Sequence, residues 1–191
     1  PPTILVVGDL MLDRFIFGSV DRISPEAPVP IVKLTKEKRM LGGCGNVIRN
    51  LYNLGIKTLP FSVVGKDLAG DLLIEQLSTK KIQTSNVLRY DSIKTTEKMR
   101  VVADRQQLVR VDWDMDDLEF DFNDDLIKNF DAYIKEIDGV IISDYGKGIC
   151  SDSLLKKVIK TSNESNIPIF VDPKGSDWQK YQNANLITPN I

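Results

Sequence analysis

Five short apolar runs, each closed at its carboxyl end by Gly, Asp or Asn, set the strongest limit on how this chain can fold. They are TILVVG (3–8), SVVG (62–65), GVIISDY (139–145), IPIFVDP (167–173) and ANLITPN (184–190). Runs this short and this apolar read as strands buried on both faces. Helical patterns lie between them, over 45–54 (ended by Gly55), 67–80, 123–137 and 151–162. Strand and helix in alternation predict an α/β layer structure around a mainly parallel sheet. In such sheets ligands sit outside the carboxyl ends of the strands. Asp9, Asp13, Asp144, Asp172 and Asn190 would therefore gather along one sheet edge, although short polar residues also serve there simply as turn formers.

Two segments interrupt the alternation. Residues 14–40 and 94–113 carry β-branched, alternating sequence with no helix between. Both read as antiparallel strands beside the main sheet, and together as a small β-sheet lid over the cleft; an ordinary sheet extension or a dimer face gives the same pattern. The whole chain of 191 residues, 42% hydrophobic, has enough apolar sequence for one substantial core.

Charge and composition remove several functions. Lys plus Arg (25) nearly balances Asp plus Glu (27), so no global field favours nucleic acid or an anionic membrane. Histidine is absent, which removes His-based triads and His-containing zinc sites. Cys44 and Cys150 have no metal or redox spacing, and no apolar run reaches membrane-spanning length, so a cytoplasmic protein is expected.

The motif LGGCGNV (41–47) is neither a dinucleotide fingerprint nor a P-loop. Its glycines would let a ligand approach the backbone, while Asn46 could bind a hydroxyl or cap the helix that follows. Asp9 and Asp13 in GDLMLD could hold neighbouring sugar hydroxyls. SDYGKG (143–148) and VDPKG (171–175) place Lys147 and Lys174 after adjacent strands, which favours a phosphate-bearing ligand. A dehydrogenase reading fails because no glycine fingerprint follows the first strand.

GDLMLD, ISPEAPVP, GGCGN, the hairpin from KMRVV to QQLVRVD, SDYGKG, VDPKG and LITPN occur in the order and spacing of the ribokinase-like (PfkB-type) carbohydrate kinases. Within that family the chain most resembles the bacterial heptose-7-phosphate kinases of ADP-heptose synthesis, over essentially its whole length. Cys44-Gly45 stands where those kinases usually carry two alanines.

The resemblance implies a ribokinase-like fold with a β-sheet lid, here incomplete at its carboxyl end. The implied activity is transfer of the ATP γ-phosphoryl group to the anomeric hydroxyl of D-glycero-β-D-manno-heptose 7-phosphate, with Mg2+ as the metal. Asp13, Gly43, Asn46 and Asp144 would bind the acceptor. Gln106, Arg110 and Lys147 would hold the phosphate already on it. Residues four apart in a strand are about 13 Å apart, so Gln106 must lie in the hairpin turn to converge with Arg110. Lys174 would lie near the transferred phosphate, and Asn190 would open an Asn-x-x-Glu segment that organises Mg-ATP. The resemblance also makes a homodimer through the lid plausible. The family's Gly-Ala-Gly-Asp motif, which supplies the general base, does not occur in residues 1–191. That catalytic Asp is therefore expected beyond Ile191, so this chain alone is expected to be inactive and to expose an unpaired strand near Leu186. A non-catalytic sugar-phosphate sensor and a kinase of another sugar phosphate remain alternatives.

Overall fold

The computed structural model describes residues 1–114 and 123–189, with Asn123 described by its backbone alone. Six parallel strands form the main sheet in the order β10-β9-β8-β1-β4-β5: β1 (Thr3–Gly8), β4 (Lys57–Gly65), β5 (Val87–Tyr90), β8 (Gly139–Ser143), β9 (Ile169–Asp172) and β10 (Leu186–Ile187). β1 lies between β4 and β8, and its alternation sorts the core. Leu5 and Val7 pack with Phe61, Val140 and Ile142 beneath helices α3 (Asn123–Tyr133) and α4 (Asp152–Glu164). Val6 and Val64 face α1 (Cys44–Asn53) and α2 (Leu68–Thr79) through Ile48, Leu73 and Leu77. From β1 the chain builds outward through β4 to β5, then returns to β8 and builds the other way. The switch point is therefore the boundary between β1 and β8, the place at which sheets of this kind bind ligands beyond their strand ends.

Local chemistry fixes the helix starts. The Asp67 side chain accepts from Gly70 N at 2.8 Å and caps α2, and Ser151 Oγ accepts from Leu154 N at 3.3 Å to cap α4. β5, absent from the sequence reading, is four residues long and carries an arginine.

The second sheet has the order β3-β2-β6-β7, from β2 (Leu10–Ile23), β3 (Pro30–Gly43), β6 (Glu97–Ala103) and β7 (Gln106–Trp113). Each expected segment is an antiparallel pair, but the two pairs join through a parallel seam between β2 and β6, so the sheet is mixed. The strands also reach further than 14–40: β2 begins at Leu10, and β3 runs to Gly43. GDLMLD and LGG are thus the paired roots of the second sheet, with Met11 opposite Gly42 and Leu12 opposite Leu41.

Candidate functional site

The site forms where the second sheet springs from the main sheet. Asp9 follows β1 and is buried, with 2% of its surface exposed. Its carboxylate accepts backbone N–H bonds from Tyr145 (2.7 Å), Ile149 (3.1 Å) and Lys147 (3.3 Å), in the loop after β8. Burial raises its pKa above the usual carboxylate value, against the lowering effect of these amides. Three amides of the loop that begins with SDYGKG, which the sequence offered as an anion loop, are thus already engaged by an internal anion. An external phosphate would be met there chiefly by the Lys147 side chain.

Asp13 lies four residues on, in β2, and its surroundings differ. Its Oδ1 accepts from Arg100 Nη1 at 2.6 Å, and both side chains keep about a fifth of their surface exposed (23% and 22%). Its Oδ2 lies against Gly42, where an added Cβ would stand 2.5 Å from that oxygen. Gly43 then turns the chain from strand into α1 in one residue, with φ 56° and a would-be Cβ 2.2 Å from Asp9 O. The predicted glycine loop is therefore a strand end joined directly to a helix. Gly43 is the helix cap and makes no side-chain capping bond, which removes the capping role weighed for Asn46. Asn46 is exposed in the first turn of α1, and its Oδ1 accepts from Arg49.

Arg100 lies on β6, within the KMRVV motif, and nothing in its local sequence marks it for a site. Its guanidinium lies 5.1 Å from the centroid of the Phe15 ring, which itself stacks on Phe17. The pairings Asp13–Lys98 and Phe15–Arg100 put these residues on one face of the second sheet.

The hairpin corrects another expectation. Asp104 and Arg105, with φ 50° and 69°, form its two-residue turn, and Gln106 is the first residue of β7 rather than part of the turn. A register shift pairs Val101 with Val109 but Val102 with Gln107. The extra residue reverses the alternation, so Gln107 shares a face with Arg100 and Arg110, while Gln106 faces the other way with Val101 and Val109. Gln106 and Arg110 are therefore not brought together; no local periodicity reveals the bulge that separates them. Arg110 Nε donates to Asp112 Oδ1 at 2.9 Å, and Lys147 Nζ pairs with Asp114 Oδ2 at 2.6 Å.

Asp144 is turned inward, its side chain only 1% exposed. It accepts from Lys180 Nζ at 2.5 Å, Tyr181 Oη at 2.6 Å and Gly146 N at 2.7 Å. It braces the loop and offers no free face to a sugar, against the acceptor-binding role the resemblance implied. Lys174 is exposed after β9, and its Cγ would lie 3.3 Å from a Cβ at Gly146, so the two lysine-bearing loops adjoin. Burial, with the charge of Asp144, raises the pKa of Asp172. Asn190 and Ile191 lie outside the described residues.

The sequence pattern of the pfkB family carbohydrate kinases matches residues 2–191. The chain belongs to that family. Its relatives include the bifunctional protein HldE of Aliarcobacter butzleri, 43% identical over 190 residues (99% of this chain, 40% of that one). HldE of Helicobacter pylori is 45% identical over 188 residues (98% and 41%). The chain thus spans about two fifths of the length of these relatives. The Arabidopsis thaliana ribokinase bound to ribose and ATP superposes with TM-score 0.70 at 16% identity, covering 98% of this chain and 60% of that one. Escherichia coli phosphofructokinase-2 in its tetrameric inhibited form gives 0.69 at 20%, with the same coverage. At such identities these two likenesses bear on the fold alone, which is ribokinase-like.

A PfkB kinase uses ATP as phosphoryl donor, with Mg2+ its typical ion. Among the described residues no three His, Cys, Asp or Glu side chains gather into a metal site; an Mg2+ ion in phosphoryl transfer is held by one or two carboxylates together with the phosphates and water. Nor, among the described residues, is any helix long and apolar enough to cross a membrane.

Proposed function

We propose that this chain is the acceptor-binding part of a kinase that phosphorylates the anomeric hydroxyl of D-glycero-β-D-manno-heptose 7-phosphate, giving the 1,7-bisphosphate for ADP-heptose and lipopolysaccharide core synthesis. The observation that carries the reading is the placement of Asp13, backed by Gly42 and Gly43, on the same sheet face as Arg110. A hydroxyl-binding carboxylate and a phosphate-binding cation then address two ends of one ligand.

Asp13 accepts sugar hydroxyls, and the bare backbone of Gly42–Gly43 lets the ring approach, with Asn46 beside it. Arg110 and Lys147 exchange Asp112 and Asp114 for the acceptor's phosphate, with Gln107 on the same face. Lys174 lies towards the transferred group. ATP supplies the phosphoryl group, and what these residues contribute is orientation and charge neutralisation. Asp144 is committed to Lys180 and Tyr181, so the general base is sought beyond Ile191, and the chain alone is proposed to be inactive. Exposed Ile23, Leu34 and Val109 make the second sheet, with Val29 in the connection before β3, the proposed face for a homodimer in the cytoplasm.

The test is turnover by the full-length kinase with ATP. We expect heptose 7-phosphate to exceed fructose 6-phosphate and unphosphorylated heptose in kcat/KM by at least about 100-fold. Preference for fructose 6-phosphate would instead assign the site to another sugar phosphate. Binding without turnover by the full-length protein would favour a sensor.

A further inference from the structure

The Arg100–Asp13 pair raises a problem for the acceptor site just described. A carboxylate that holds two neighbouring hydroxyls does so most freely with one oxygen for each, and Oδ1 of Asp13 already gives one of its lone pairs to Arg100 Nη1 at 2.6 Å, which crowds that oxygen. On Oδ2 no side chain intervenes at Gly42. Meanwhile the register sets Arg100 directly opposite Arg110, on one face, where Cβ atoms lie about 4.5–5.5 Å apart and like charges repel. Each arginine is held by its own carboxylate, Asp13 for one and Asp112 for the other. A phosphate dianion between the two guanidiniums would replace that repulsion with two charge-assisted, fork-shaped contacts.

We propose that Arg100 is a specificity residue that moves between the two halves of the acceptor site. With no phosphate present it caps Asp13. When the acceptor's phosphate arrives it joins Arg110 and uncovers Asp13 for the hydroxyls. The Phe15 ring, 5.1 Å from the guanidinium, gives the side chain a surface to stay against during the exchange. The pair it leaves is partly exposed, a setting in which ion pairs are weak, and the partner it gains is stronger. Phosphate and hydroxyl binding become coupled, each favouring the other, and an unphosphorylated sugar meets a capped carboxylate.

This inference rests on the acceptor reading above, and its test separates the two. Calorimetry on the full-length kinase measures affinity for heptose 7-phosphate and for heptose. Arg100→Gln should lower affinity for heptose 7-phosphate about 10-fold and leave that for heptose unchanged or raised several-fold. Arg100→Lys keeps a cation beside Asp13 without the fork, so it should retain heptose affinity and lose part of the preference for the phosphate. Arg110→Gln serves as the reference: it should weaken only heptose 7-phosphate. If it has no effect, the phosphate-site reading falls and this inference with it. If it acts as expected while Arg100→Gln weakens both sugars equally, or neither, Arg100 merely braces Asp13 and the inference alone is overturned. Should Arg100→Gln fail to fold, wild-type discrimination in Arg100→Lys would overturn it equally.

Discussion

The two sheets differ in composition, the main one nearly all apolar and the second rich in charged residues, and they serve opposite ends. Along β4, eight residues in a row are buried; along β7, six of the eight are exposed. The main sheet is covered by helices on both faces. Much of the second is wetted, and it is held by ion pairs such as Arg14 with Glu37 and Glu97. Stability should therefore reside in the first sheet and recognition in the second. Asp9 and Asp13 straddle the junction four residues apart, and their surroundings change within a few residues of sequence: one carboxylate is spent on loop amides, the other is partly exposed and paired with Arg100.

The largest effect should come from the main-sheet core. Phe61 is fully buried and packs edge-on against Phe130 and Tyr133, so Phe61→Ala should cost about 3–5 kcal/mol in thermal or denaturant unfolding. Val109→Ala on the second sheet should stay within about 0.5 kcal/mol; comparable losses at both would break the contrast. Next, Asp9→Ala leaves three loop amides without their acceptor and should destabilise by about 2–3 kcal/mol. Asp13→Asn should leave the unfolding midpoint near wild type and weaken sugar binding, with some activity surviving at saturating sugar in the full-length kinase. Unchanged sugar affinity with turnover abolished would make Asp13 a base instead of a binding group. Arg110→Ala should weaken heptose 7-phosphate by about 1.5–3 kcal/mol in calorimetry and leave unfolding unaffected.

The smallest effect concerns pH. Burial raises the pKa of Asp67, but hydrogen bonds from Thr95 and Gly70 outweigh it, so the folded value lies below the ordinary 3.8. Its stabilisation is present above 3.8 and is lost as pH falls through the folded value. Asp9 is raised instead: the folded state takes up its proton first, and its contribution improves as pH falls from above the folded value towards 3.8. Between about pH 6 and 3, Asp67→Asn should flatten the acid loss of stability and Asp9→Asn should steepen it. Identical slopes would show that the two carboxylates do not differ in this way.

Legibility followed the same division. Strands buried on both faces have no choice but to be apolar, so TILVVG and GVIIS were plain in the sequence, and the Gly and Asp at their ends marked the cleft. VLRY was not, because four mixed residues leave no pattern. Gly43 concealed itself by turning strand into helix in one residue, so that a run of glycines looked like a loop. The parallel seam and the bulge that exchanges Gln107 for Gln106 depend on register between strands, which no local period encodes. Asp9 and Asp13 are the same residue type in one motif. Only the packing around each carboxylate tells the buried brace from the partly exposed group paired with Arg100.

The seam between β2 and β6 carries one more consequence, for the order of assembly. It pairs Arg14 with Met99, about 85 residues apart, so a long loop must close before any of its hydrogen bonds can form. β1 and β4 supply the frame that brings the two strands together, and the half-wet second sheet gives little apolar gain to drive early pairing. The seam should therefore zip late in folding and open early under native conditions, its amides trading hydrogen for deuterium well before those of β1.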